Sequence, residues 1–228
     1  MFIPSAYRVE EWNEIVAMVR EIRAADLISV DSNGSPISTL MPCIWDAPLT
    51  EPAERDEATS PADYGVLYVH MARANKHWRE IKPGARGLAI FNGPQGYISA
   101  SNYREKEESG RVVSTWNYTS VHLHGTLDVI DDPEYVKRVV MDLSRFHEAS
   151  RANPWNPEDI PADYLASELA GIVAVKMTID RVEAKAKMSQ NHSDENRQRI
   201  IDDLRSSSRS EDQLVADIVE QKLRTKAQ

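Results

Sequence analysis

Val121-His122-Leu123-His124-Gly125-Thr126-Leu127-Asp128-Val129-Ile130, the second half of a run opening at Trp116, decides the fold. Apolar and polar residues alternate through Val121-His122-Leu123-His124 and onward, the period of a strand with one face on a core. Asp132-Pro133-Glu134 follows, with a cap residue, a proline at the first helical position and an acid near the positive end, so a helix begins there. Tyr135, Val139, Leu143 and Phe146 give it a buried stripe as far as about Ser150.

Upstream, Leu27-Ile28-Ser29-Val30, the turn residues Asp31-Ser32-Asn33-Gly34 and the run Pro36 to Trp45 read as two antiparallel strands joined by a hairpin. Gly65 to Met71, Gly87 to Phe91 and Tyr97 to Ala100 read as three more strands, the last two separated by Asn92-Gly93-Pro94. A helix over residues 8–24 opens the chain, and Ala74 to Ile81 makes two helical turns before Pro83. Asp163 to Ala170 forms a short helix before a strand that starts at Ile172 and continues towards Lys187. Residues 193–204 and 210–223 form two surface helices. Many short strands with no βαβ rhythm predict an antiparallel barrel with peripheral helices, an α+β chain, rather than a doubly wound sheet.

Composition removes several function classes. The 228 residues carry 27 basic and 36 acidic side chains and a formal charge of −9, the wrong sign for bulk neutralisation of nucleic-acid phosphates. Direct nucleic-acid binding is therefore not expected. The longest apolar run is only Ile15 to Val19, and no basic-then-apolar leader opens the chain, so a soluble cytoplasmic protein without membrane contact is the expectation. One cysteine, Cys43, excludes an intrachain disulfide or a multi-cysteine metal site. There is no GxGxxG, GxxxxGK or GxSxG motif. Between Asp46 and Asp63 six acids stand against Arg55 alone, among three prolines, which reads as a solvated loop insertion.

Three segments carry candidate chemistry. His70-Met71-Ala72-Arg73-Ala74-Asn75 lies where a strand gives way to a helix, and the fork of Arg73 suits a phosphate; the alternative is a solvated charge. Trp116-Asn117-Tyr118 combines stacking surface with edge hydrogen-bonding groups for a planar ligand, or packs into a core around a buried amide. Lys187 with Ser189-Gln190-Asn191 ends the last strand and suits phosphate or ring heteroatoms, or forms a helix-entry loop with Ser193 as cap. His122 and His124 share a strand face, the spacing one metal ion or haem could use, although half-buried strand histidines are more often polar surface, and no metal site is assigned.

Taken in order, these segments, with Leu88-Ala89-Ile90-Phe91, Gly93-Pro94, Val121-His122 and Gly125, resemble the PaiB-like branch of the FMN-binding split-barrel superfamily, sometimes described as negative transcriptional regulators. The resemblance implies a six-stranded split barrel over residues 1–190, with 191–228 as a helical extension packing on the barrel or the dimer. It implies a homodimer with FMN in clefts at the subunit interface. Arg73 and Lys187 are then candidates for the phosphate, and Asn75, Ser189, Gln190 and Asn191 for neighbouring polar contacts. Trp116, Asn117 and Tyr118 would line the cleft or the dimer seam, and Ser38 and Thr39 would frame the flavin. No catalytic residue is assigned. The leading functional reading is a flavoprotein acting as a small-molecule oxidoreductase; the others are a regulator or flavin sensor without catalysis, and a haem-binding barrel with His122, His124 or a tail histidine as axial ligand.

Overall fold

The structure, a computed structural model, describes residues 1–49 and 64–225. From residue 50 on, the acidic loop read between 46 and 63 lies outside the described residues. The elements are α1 (Trp12–Ile22), β1 (Ala24–Val30), β2 (Pro36–Pro42), β3 (Ile44–Asp46), β4 (Val66–Ala72), α2 (His77–Glu80), β5 (Ala85–Ile98), α3 (Glu105–Glu108), β6 (Thr115–Ile130), α4 (Pro133–Glu148), α5 (Ala162–Ala170), β7 (Ile172–Lys187), α6 (Asp194–Ser206) and α7 (Ser210–Thr225). The strands form one sheet in the order β2-β1-β5-β6-β7-β4-β3. The pairs β1/β2, β1/β5, β3/β4 and β4/β7 are antiparallel. This is the expected split-barrel class, an antiparallel sheet with peripheral helices, with seven strands rather than six.

The extra strand comes from Cys43. The run from Pro36 to Trp45, read as one strand, breaks there because Arg23, opposite Cys43 in the β1/β2 register, adopts φ +65° and gives its own amide to Val19 O, so the ladder ends on the bond from the Cys43 amide to Arg23 O at 3.1 Å. Residues before it stay with β1 (Ala24 opposite Pro42), and residues after it pair with β4 (Ile44 opposite Tyr68). Conversely, the two strands read on either side of Asn92-Gly93-Pro94 are the single strand β5. Gly93 is not in the left-handed region, and the φ fixed by Pro94 is compatible with extended backbone, so the turn residues do not turn the chain. The helix read over Ala74 to Ile81 is one turn only, because the Asn75 side chain accepts the His77 amide at 2.9 Å and closes a side-chain turn ahead of α2.

Other local rules hold. Asp31 Oδ1 accepts from the amides of Asn33 and Ser35, both at 2.8 Å, and Gly34 adopts φ +84°, which closes the β1–β2 hairpin. Asp132 caps α4 by accepting from Tyr135 N at 2.8 Å, and Val136, Val139 and Leu143 pack with Ala174 of β7. Burying each such aliphatic side chain is worth about 1.5–3 kcal/mol.

By internal contacts the chain falls into two compact units: Met1–Ile15, Asn92–Val121 and Ala184–Gln228 in one, Val16–Phe91 and His122–Glu183 in the other. The first has Ile98, Met188, Ile200 and Val219 at its core, and the second Phe91, Leu123, Leu127 and Ile179, all 0% exposed. The helices α6 and α7, read as a C-terminal extension, fall in the first unit. Among the described residues, no helix is long and apolar enough to cross a membrane. Cys43 is buried and its thiol is pushed up to about 12, mainly by burial, which removes it as a nucleophile at neutral pH.

Gly125 on β6 leaves no room for a side chain, since a Cβ there would lie 2.2 Å from the backbone oxygen of Thr178 on β7. Gly125→Ala is expected to destabilise the protein by about 1–3 kcal/mol, the usual scale of overpacking, read as a lower denaturant midpoint at unchanged m-value. A second expectation concerns pH. His77 is 2% exposed and hydrogen-bonded to Ser29 Oγ and Thr39 Oγ1, both at 2.8 Å, and burial lowers its pKa. The unfolded chain therefore takes up a proton at this position before the folded one does. The stability contributed by neutral His77 is complete above about pH 6.5 and is lost as pH falls from there through the folded pKa. Thermal melts between pH 7.5 and 5 should show falling stability, with a shallower slope in His77→Gln.

Candidate functional site

In the unit that holds residues 92–121 and 184–228, the end of β7 brings Lys185 and Lys187 to one strand face. Lys185 Nζ donates to Tyr118 Oη at 2.6 Å and to Phe2 O at 3.2 Å. Lys187 Nζ donates to Thr115 Oγ1 and, at 3.0 Å, to Trp116 O. All four acceptors are neutral, and among the described residues neither ammonium has a carboxylate in ion-pair contact. Burial pulls the Lys187 pKa below its ordinary value; Lys185 adds repulsion and Tyr118 opposes it. An anion beside Lys187 would relieve that penalty.

Lys187 opens onto a cavity of about 350 Å³ within this unit, inside the range of small-molecule sites. Arg111 supplies a second cation at its wall. Tyr103 and His192 form a stacked pair there, with ring centroids 4.4 Å apart and planes 16° from parallel. Tyr103 is 2% exposed, and its hydroxyl is buried without a hydrogen-bond partner. Burial raises its pKa, aided by Tyr7 and Glu105, so the phenol is a neutral donor.

The polar wall is equally specific. Asn117 is fully buried, donates from Nδ2 to Ser189 Oγ at 3.0 Å and accepts from the same hydroxyl at 3.2 Å. Ser189 adopts φ +60°, the left-handed region that a side chain disfavours by about 1–2 kcal/mol. Strain of this kind persists where surroundings over-determine the backbone, and it clusters at ligand sites. Asn191 also lines the cavity and accepts the Tyr7 hydroxyl at 3.0 Å.

Of the residues singled out from sequence, Asn117, Lys187, Ser189 and Asn191 thus meet at one cavity. Gln190 folds back onto its own strand end, accepting Met188 N at 2.6 Å and donating to Ala186 O. Trp116 is 40% exposed, donates from Nε1 to Gln95 at 3.2 Å and packs against Tyr97. Tyr118 is the partner of Lys185. The other candidates belong to the second unit. There Arg73 donates to both oxygens of Asp131 and, from Nε at 2.8 Å, to Ala170 O. Asn75 shapes the turn before α2, Thr39 holds His77, and Ser38 is exposed.

Tyr103 and Arg111 escaped the sequence reading, and His192 entered it only as a tail histidine for haem. Arg111 stands in a polar loop with Arg104, and local sequence does not separate them; in space Arg104 meets Glu108 and Glu195, while Arg111 faces the cavity. Two cations without carboxylates and a buried phenol without a partner among the described residues, with a set of amide and hydroxyl groups, fit a phosphorylated ligand with a polyhydroxyl chain, as FMN is.

An antiparallel split barrel with an anion-ready cavity is the class these features define. The chain belongs to the family described as "Putative FMN-binding domain", whose model matches residues 1–181, and FMN is the cofactor of that family. The PaiB-like membership read from sequence also holds. Over 224 residues the chain is 28% identical to "Protease synthase and sporulation protein PAI 2" of Bacillus subtilis, covering 98% of this chain and 99% of that protein. An uncharacterized protein of Aspergillus fumigatus is 29% identical over 197 residues, 72% of this chain and 74% of its own. Among solved structures, the FAD and heme binding protein from Mycobacterium smegmatis matches at TM-score 0.53 and 16% identity, over 83% of this chain and 78% of that one. The flavocytochrome Anf3 from Azotobacter vinelandii matches at TM-score 0.52 and 13% identity, over 78% of this chain and 68% of its own. These two likenesses show the fold. Lys187, Ser189 and Asn191 lie beyond the residues the family model matches.

The wall makes a paired prediction for the ligand-free protein. Tyr103→Phe removes a buried hydroxyl that has no partner and should leave stability unchanged or raise it by about 1 kcal/mol. Asn117→Ala strands Ser189 and opens a void, and should lower stability by about 2–4 kcal/mol. Chemical denaturation of both variants reads the opposite signs.

Proposed function

We propose that the chain is a flavoprotein that holds FMN in the cavity between Arg111 and Lys187, and that it uses the flavin in oxidoreductase chemistry on a small molecule. The observation that carries this reading is Lys187, a half-buried ammonium bonded only to neutral oxygens at the wall of a cavity. In this reading Lys187 and Arg111 bind the phosphate, Asn117, Ser189 and Asn191 meet the ribityl hydroxyls, and the Tyr103 phenol gains its missing acceptor. Bound flavin supplies the electron transfer; the protein binds it, orients it and limits water around it. The reading includes a homodimer. Support for it is the exposed apolar surface of Tyr97, Val113 and Trp116, which are 52%, 81% and 40% exposed.

Titrating the purified protein with FMN by flavin fluorescence and equilibrium dialysis tests the proposal. Charge-assisted hydrogen bonds are worth about 1.5–3 kcal/mol each, so Arg111→Ala with Lys187→Ala should weaken FMN by roughly 10²–10⁴-fold. Arg73→Ala should leave affinity unchanged, because its fork is already filled by Asp131 and Ala170. Loss of affinity in Arg73→Ala with none in the double variant would move the phosphate to the other unit. Hemin added in parallel separates the haem reading, which requires a Soret shift that disappears in one of His122→Ala, His124→Ala or His192→Ala. A protein that binds neither cofactor would sink the flavoprotein reading in favour of a regulator without one. Light scattering at the concentrations of the titration reads the dimer.

A further inference from the structure

His122 and His124 lie two residues apart on β6, so their imidazoles leave the same face of the strand, with ring centroids 6.2 Å apart. The neighbouring strand β7 adds Glu183. His124 Nε2 donates to Glu183 Oε2 at 2.7 Å, and one ligand atom from each of the three residues lies within 4.8 Å of the others. All three are half-buried, with side-chain exposures of 15% at His124 and 17% at Glu183. Two imidazoles and one carboxylate are a donor set that holds zinc and related ions with a coordination position left open. We propose that His122, His124 and Glu183 bind a divalent transition-metal ion, with Zn²⁺ as the reference occupant.

The surroundings define what binding must change. Arg181 donates from Nη2 to His124 Nδ1 at 3.0 Å, and its other terminal nitrogen lies 3.8 Å from Glu183 Oε1. With Nδ1 accepting, the ring proton of neutral His124 is on Nε2 and points at Glu183. A metal bonded to Nε2 takes that lone pair, and the proton moves to Nδ1, which can then no longer accept from Arg181. Arg181 is 58% exposed on a flexible stem and can leave towards solvent. Ligand atoms about 2.0 Å from a tetrahedral ion stand about 3.3 Å apart, so the His124–Glu183 contact opens by roughly half an ångström. Arg181 therefore competes with the ion, through its charge and through the tautomer it enforces.

The three ligands lie outside the unit that holds the flavin cavity, and the inference does not depend on that reading. Co²⁺ added to the purified full-length protein should bind at one equivalent per chain, with visible ligand-field bands that Zn²⁺ displaces. His122→Gln should weaken it more than tenfold while leaving the His124–Glu183 bond of the metal-free protein intact, and His124→Gln should do the same. Arg181→Gln should strengthen binding by about tenfold, because glutamine removes one competing charge and offers an acceptor for Nδ1–H, the type of supporting bond worth 10–100-fold in affinity. The Arg111→Ala, Lys187→Ala double variant should bind Co²⁺ as the parent does. Absence of stoichiometric binding, or binding indifferent to His122→Gln and His124→Gln, would overturn the site. Weaker binding in Arg181→Gln would overturn the competition.

Discussion

The approach of β6 to β7 at Gly125 is the constraint on which the rest depends. The Thr178 carbonyl occupies the space a side chain at 125 would need, so these strands lie closer there than any other residue type permits. Strand β6 carries Thr115, Asn117 and Tyr118 in one unit and His122 and His124 in the other. Strand β7 carries Lys185 and Lys187 in the first and Glu183 in the second. Each polar cluster thus draws on both strands, and its geometry inherits their pairing. Sites built on strands are held more firmly than sites built on loops, because the backbone ladder fixes the direction of each side chain.

The distribution of charge is informative because the chain is acidic overall. In the second unit several arginines find carboxylates: Arg73 meets Asp131, Arg86 meets Asp180, and Arg145 meets Asp142 and Glu158. These exposed pairs add little stability, and each fills a guanidinium that could otherwise serve a ligand. That is why Arg73, whose fork suits a phosphate in the sequence reading, presents no open fork here. The distinction between a paired and an available cation is set by residues as distant as Asp131 and Ala170, and no local pattern reports it.

What sequence could tell about the fold follows from which interactions are local. The start of α4 was legible because Asp132, Pro133 and Glu134 act within one turn, and Ser193 caps α6 for the same reason. The split at Cys43 was not, since it depends on Arg23, twenty residues away, turning out of the register at the end of α1. The unbroken β5 was not either: Asn92-Gly93-Pro94 permits a turn without demanding one, and strand pairing decides between the two. At the cavity, Lys187, Ser189 and Asn191 could be read because they cluster in sequence, and Asn117 because it sits among aromatics. Tyr103 and Arg111 come from the connection between β5 and β6, where their roles rest on burial and on the absence of a partner.

The two buried cations among the described residues, Lys185 and Arg197, both belong to the unit with the cavity. Lys185 and Lys187 meet neutral oxygens, and Arg111 faces the cavity without an ion pair among the described residues. Arg197 on α6 is fully buried, with one hydrogen bond to Val219 O at 3.2 Å and Asp194 Oδ1 no nearer than 3.9 Å; burial lowers its pKa. A chain of net charge −9 has ample acids to neutralise Lys185, Lys187 and Arg111, so the absence of an ion pair at these three among the described residues is not a shortage of partners. A half-buried cation without a counter-ion destabilises the ligand-free state, and an anion bound between Lys187 and Arg111, the two cations that line the cavity, would recover that cost as binding free energy. The same arrangement discriminates: a neutral flavin lacking its phosphate would leave Lys187 and Arg111 as they are, whereas FMN would satisfy them. In the proposed FMN site, selectivity for the phosphorylated cofactor would rest on Lys187 and Arg111, the cations of the wall that the fold leaves without a carboxylate among the described residues.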